Sequence, residues 1–308
     1  MNDIKAEVSQ LRRTVTDEIF RVAGFSKKGL VRKIFGPVLW PPAHRFARIF
    51  ADFDLDVATL GLRDAAQRLL QGFVDEVQIS GKNKVPRKGP LVVASNHPGT
   101  LDGFAIMSNI PRDDMKVVVE GFPLFRSLPA TAPHLIFTPP DTQGRMGVVR
   151  SMISHLRDGG GILIFPSGKL DPDPQILPGA YDALSNWSPS LGLILNKVPQ
   201  TQVMVTIVSG VLSKTCVENP ITKYFDEWWM KIRVAEFIQV VQQMVMARDF
   251  NLMPKISFGD PVTIDEILKH VDSSGVMLDI IDRARQLMEI HTHEPPLLPN
   301  GAEIKTLP

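Results

Sequence analysis

From about residue 75 onward, short apolar runs of strand length alternate with longer stretches of helical period. No other feature narrows the possible folds as far. The runs are EVQIS (76–80), LVVASN (91–96), KVVVE (116–120), LIFT (135–138), GILIFP (161–166), QVMVTIVS (202–209) and KISFGD (255–260). Several are apolar throughout rather than alternating, the pattern of strands covered on both faces. Helical patterns at 142–157, 178–186, 222–246 and 275–290 lie between them. The alternation predicts an α/β layered domain, with a mixed, roughly seven-stranded sheet flanked by helices.

The first 75 residues read differently. Residues 3–23 carry Ile4, Val8, Leu11, Val15, Ile19 and Val22 at helical spacing. Residues 27–36, 42–50 and 60–74 also read as helices, with breaks expected at Gly36-Pro37 and Pro41-Pro42. The chain therefore divides into a helical N-terminal region (1–75), an α/β domain (76–293) and a loose, proline-rich tail (294–308). Between Glu18 and Asp52 there is no acidic residue, while Arg21, Lys27, Lys28, Arg32, Lys33, Arg45 and Arg48 are interleaved with aromatic and aliphatic side chains. Such a segment suits either a cap packed on the catalytic layer or contact with an anionic membrane surface, and the two can coexist.

Composition excludes several classes of function. A net charge of +1 gives no global field toward nucleic acid, so no nucleic-acid partner is expected. The single cysteine, Cys216, rules out an internal disulfide and a cysteine-based metal cluster, and fits a reducing compartment. No run approaches the roughly 20 apolar residues that span a bilayer. The N-terminal MNDIKAEVSQLRR lacks the apolar stretch of a secretory signal. The expectation is a cytoplasmic protein, soluble or peripheral on the cytoplasmic membrane face.

Chemistry concentrates in LVVASNHPGTLDGFAI, where His97 is followed five residues later by Asp102. An imidazole titrates near neutral pH and can take a proton from an alcohol, and a neighbouring carboxylate fixes its tautomer and stabilises the imidazolium. The plain alternative is a histidine at a strand end and an aspartate in a helix's first turn, favoured there by the dipole. Thr100 is a candidate cap for that helix, and free N–H groups at Gly99 and Thr100 are candidates for stabilising an oxyanion.

Four ordered segments resemble the glycerolipid acyltransferase family. NHPGTLD (96–102) is similar to its histidine–four residues–aspartate box. EGFPLFRSLP (120–129) with HLIFTPPDTQGR (134–145) follows, then GGGILIFPSGKLDP (159–172), similar to its Phe-Pro-Glu-Gly-Thr-Arg block, and QVMVTIVSG (202–210) stands for its later strand. The resemblance implies that His97 is the general base and Asp102 its orienting group. It implies transfer of a fatty acyl group from acyl-CoA or acyl-carrier protein to a hydroxyl of a glycerolipid-like acceptor, with no acyl-enzyme and no cofactor beyond that co-substrate. The absence of a recognisable nucleophile elbow agrees.

The chain departs from the family in the third segment. Ser167 stands where the family has a glutamate, and Lys169-Leu170 replace Thr-Arg. Lys169, Arg145 and Arg150 are the candidate phosphate contacts, Lys169 as a point charge rather than a two-pronged clamp. Gly168 is a candidate for close substrate approach or for a turn with positive φ. The altered block keeps two alternatives open: a non-catalytic lipid- or acyl-carrier-binding protein on the same scaffold, and a thioesterase using water as acceptor. Outside these segments, His134 and His155 read as structural, and His291 with His293 makes a poor metal site. Trp228-Trp229 is expected to pack on the core or cap, with a lipid-facing role as the alternative.

Overall fold

The structure is a computed structural model that describes residues 11–14, 16–17, 30–139, 142–246 and 249–293. The expected tail and most of the expected 3–23 helix lie outside them, although residues 11–14 and 16–17 are helical. The helices of eight residues or more are α1 (Leu30–Leu60), α2 (Leu62–Leu70), α3 (Thr100–Met107), α4 (Thr142–Arg157), α5 (Ser190–Lys197), α6 (Trp228–Met246) and α7 (Val276–His293). The strands are β1 (Gln78–Ser80), β2 (Leu91–Ser95), β3 (Met115–Glu120), β4 (Leu135–Thr138), β5 (Gly161–Ile164), β6 (Gln202–Ser209), β7 (Lys255–Phe258) and β8 (Val262–Thr263).

These strands form one mixed sheet in the order β1-β7-β6-β2-β5-β3-β4, with β8 on β6. β6, β2, β5, β3 and β4 run parallel, and β7 is antiparallel to β6. The centre of the sheet is apolar on both sides: every residue of β2 and β5 is buried. One face packs against α1, α2 and α3 through Ala47, Phe50, Phe53, Ala65, Ala105 and Ile106. The other packs against α4, α5 and α7 through Met152, Leu156, Leu191, Ile194, Ile280 and Ala284. This is the layered α/β arrangement that the alternation predicts. The seven expected strands are present; the two-residue β8 is an addition too short to leave a pattern.

The N-terminal reading needs a correction. The helix does not break at Gly36-Pro37 or at Pro41-Pro42; α1 runs through both. A proline removes one N–H from the helical ladder and crowds the preceding turn, at about 3 kcal/mol in a helix interior. Beyond the proline pair, burial of Phe50, Phe53 and Val57 stabilises by roughly 1.5–3 kcal/mol per side chain. Tertiary packing thus outweighs the local rule. Arg45, Arg48 and Trp40 stay exposed on this helix, whereas the side chains of residues 21–39 lie outside the description. Trp228 and Trp229, expected to pack inward, keep 41% and 38% of their surface exposed, because α6 turns Ile232 and Ala235 inward instead.

Candidate active site

His97 lies two residues beyond the end of β2, where the chain leaves the sheet before α3. Both flanking strands brace this exit. On the β6 side, the Asn96 carboxamide donates to Val208 O (2.9 Å) and accepts from Val208 N–H (2.8 Å). On the β5 side, the His97 backbone N–H donates to Asp171 Oδ2 (3.0 Å), and Asp171 N–H donates back to His97 O (2.7 Å). The imidazole stacks on Phe165, with ring centroids 4.2 Å apart at an interplanar angle of 21°.

His97 Nδ1 and Asp102 Oδ2 are 2.8 Å apart. The chain makes this pairing locally, because α3 begins at Thr100 and carries Asp102 in its first turn. Asp102 is 1% exposed, and its Oδ2 also accepts the Gly99 N–H at 3.1 Å. The His97 side chain retains 27% exposure, so the ring is not sealed from solvent. Burial penalises the imidazolium. The charge and hydrogen bond of Asp102 outweigh that penalty, with Glu236 and Asp171 adding to them, and the His97 pKa is raised.

Three carboxylates here were given no role by the sequence reading. Glu236, from α6, accepts the Thr100 backbone N–H. Burial raises its carboxyl pKa against the bonds from Thr100. Asp171, 2% exposed, is pushed up to about 6, chiefly by burial. Asp173, fully buried, is likewise pushed up to about 6 by burial while it accepts the Gly210 and Val211 N–H groups. Asp171 lies inside the third segment, just after Lys169-Leu170, so its neighbourhood was legible although its role was not. Glu236 sits in a helix whose pattern only says helix.

These contacts correct two expectations. The N–H groups of Gly99 and Thr100 are not free for an oxyanion, since Asp102 and Glu236 occupy them. Gly99, not Thr100, holds the N-cap position of α3.

The remaining candidates do not converge. The Ser167 hydroxyl lies 2.8 Å from Lys169 O and 3.0 Å from Asp171 Oδ2, and so ties the loop to the His97 brace. Gly168 adopts φ +65° in open space, which answers to the turn rather than to close approach. Lys169 is exposed on this loop. Arg150 is exposed on α4, which packs on the face of the sheet opposite α3, so it does not join the site. Arg145 falls within α4, and its side chain lies outside the described residues. His155 bonds backbone carbonyls at Asp114 and Gly161, a structural role. No group of histidine, cysteine and carboxylate side chains suited to a metal occurs among the described residues.

Residues 76–190 match the family model described as Acyltransferase. No curated protein matches the chain. Among solved structures, the chain is similar to the 1-acyl-sn-glycerophosphate (LPA) acyltransferase PlsC from Thermotoga maritima, at 13% sequence identity and a TM-score of 0.40, over 91% of this chain and 97% of that one.

Proposed function

We propose, from the match of residues 76–190 to the Acyltransferase family model, that the chain moves a fatty acyl group from a thioester to a hydroxyl of a glycerolipid-like acceptor. The observation that carries this reading is the 2.8 Å contact between His97 Nδ1 and Asp102 Oδ2 on a side chain that keeps 27% of its surface exposed. Asp102 fixes the tautomer that leaves Nε2 unprotonated, and Nε2 takes the proton of the acceptor hydroxyl. The oxygen attacks the thioester carbonyl carbon, the carbon–sulfur bond breaks as the ester bond forms, and the imidazolium returns its proton to the departing thiolate. No acyl-enzyme is required. Ser167, the hydroxyl nearest the site in the third motif, is committed to its loop.

Lys169 is the proposed headgroup contact, and Arg150 is not. The charges that act on His97 among its described neighbours are those of Asp102, Glu236 and Asp171. A phosphate on the acceptor therefore lies on the Lys169 side, away from the base. The exposed cations of α1 support a peripheral contact with anionic lipid. It is checked by sedimentation with anionic vesicles, where binding weakens as salt rises.

The test is thiol release from acyl-CoA and acyl-carrier protein with a panel of lysolipid and glycerol phosphate acceptors. His97→Ala abolishes transfer. Asp102→Asn keeps the fold and lowers turnover by roughly 10²-fold or more. Lys169→Gln raises KM for phosphorylated acceptors and leaves neutral ones unchanged. Wild-type transfer by His97→Ala refutes the mechanism, and free fatty acid formed without acceptor dependence assigns hydrolysis instead.

A further inference from the structure

The loop that leaves β5 meets His97 at both of its ends. At one end Phe165 stacks on the imidazole, with ring centroids 4.2 Å apart. At the other, Asp171 exchanges two hydrogen bonds with the His97 backbone, at 3.0 and 2.7 Å. Gly168 makes the turn between them, with φ +65° and its N–H donated to Phe165 O at 3.0 Å. Pro166 O accepts the Ser188 N–H at 3.0 Å, which pins the start of the loop to the body of the domain.

Asp171 is 2% exposed, so an acceptor cannot reach it. Its Oδ2 takes the His97 N–H and lies 3.0 Å from the Ser167 hydroxyl, while its Oδ1 is buried without a partner among the described residues. All of its side-chain bonding therefore rests on one oxygen, and Ser167 shares that oxygen with the base. The Ser167 hydroxyl has one proton for two acceptors, Asp171 Oδ2 and Lys169 O at 2.8 Å, and so joins the turn to the carboxylate. Burial already pushes the Asp171 carboxyl up to about 6 against these bonds. A buried carboxylate with so few donors depends on each of them.

We propose that Ser167 and Asp171 are positioning residues for the base: Asp171 fixes the His97 backbone as Asp102 fixes its ring, and Ser167 holds Asp171 in place. This rests on the transferase reading of the His97 site. Ser167, placed by the sequence among the substrate contacts, then acts through His97 and touches no substrate. The serine and the aspartate four residues on belong together. A glutamate in place of Ser167, the residue of the family block, sets a second carboxylate against Asp171, and like charges in contact oppose each other's ionisation.

The test measures kcat, KM and Tm for Ser167→Ala, Ser167→Glu and the double variant Ser167→Glu/Asp171→Asn. Ser167→Ala lowers kcat by about tenfold and leaves KM for donor and acceptor as in the wild type. Ser167→Glu lowers kcat by about 10²-fold, the scale of a small misplacement of a reacting group. The double variant recovers about tenfold of that loss, because asparagine still accepts the His97 N–H and carries no charge against the new carboxylate. Tm shows that each variant is folded at the assay temperature; if Ser167→Glu is not, Ser167→Ala decides alone. Proton NMR gives a readout independent of turnover, since stacking on Phe165 shifts the His97 ring protons upfield. That shift diminishes in Ser167→Ala and Ser167→Glu. Its loss in a protein that transfers to no acceptor keeps the positioning assignment, and the transferase reading then fails by itself. Wild-type kcat in Ser167→Ala overturns the proposal, and so does a raised KM at unchanged kcat, which makes Ser167 a substrate contact. A double variant no faster than a folded Ser167→Glu, or a ring shift that no variant alters, also overturns it.

Discussion

In the proposed mechanism His97 is a base only while neutral, and its surroundings set the pH at which it becomes so. Burial pulls its pKa down, but Asp102, Glu236 and Asp171 together raise it. The acid limb of the rate profile is therefore expected at higher pH than for an ordinary histidine near 6.5. Glu236 belongs to α6, outside the motifs, and its charge is removable without touching the His97–Asp102 bond. Glu236→Gln is expected to move the acid limb of kcat/KM to lower pH, because one charge favouring the imidazolium is gone. A profile that stays in place, or moves to higher pH, shows that the carboxylate does not act on the base. The distances in sequence explain what was legible here. His97 and Asp102 meet within one strand–helix turn, so their spacing announces them. Glu236 reaches the same spot from 139 residues away, and nothing in its local pattern distinguishes it from a solvated helix residue.

At the scale of elements, apolar runs predicted strands well because both faces of the sheet are covered, so every position in a run is selected for burial. The proline rule misread α1, because packing beyond the proline pair outweighed a local cost. The edge of the sheet shows how little tolerance an element can have. β1 pairs with β7, and the chain leaves β1 through Gly81 at φ +72°. A Cβ there would stand 2.2 Å from the backbone oxygen of Phe258, the last residue of β7. Neither the backbone angle nor that oxygen can give way cheaply. Gly81→Ala is expected to destabilise the protein by about 2 kcal/mol or more, seen as a lower midpoint in denaturant at unchanged slope. A variant as stable as the wild type would mean that β1 can lift off β7 without cost.

Across the whole molecule, buried ionisable groups set the response to acid. His291 of α7 is bonded at both ring nitrogens, to Ser209 of β6 and Ser257 of β7, and Ser257 bonds Ser80 of β1. Burial, with Lys255 nearby, lowers its pKa to about 3. The unfolded chain takes up a proton near pH 6.5 and the folded one does not, so the stability this residue contributes is present above pH 6.5 and is lost as pH falls toward 3. Asp171 and Asp173 act in the opposite sense. Their folded forms hold a proton up to about pH 6, so their contribution grows as pH falls from 6 toward 4. The two trends partly cancel in the intact protein, and a substitution separates them. His291→Gln is expected to lower Tm most at pH 7, with its difference from the wild type narrowing by pH 4. A constant difference would mean that His291 takes up its proton in the fold as readily as in the unfolded chain. The sequence reading took this histidine, with His293, only as a poor metal site. Its role as a bridge between three strands and a helix exists only once the sheet is assembled.

Asn96 has a consequence of its own. Its carboxamide offers Val208 one donor and one acceptor, which is what a peptide unit would offer, so β2 can diverge from β6 one residue early while Val208 keeps both of its backbone hydrogen bonds. A forked strand end is normally a weak point, where water enters and neighbouring chains slip. Here a side chain stitches the fork shut on one side while Asp171 clasps it on the other, and the reactive ring is hung from the crotch between them. The His97 ring is thereby held at the end of a central strand by hydrogen bonds on both sides.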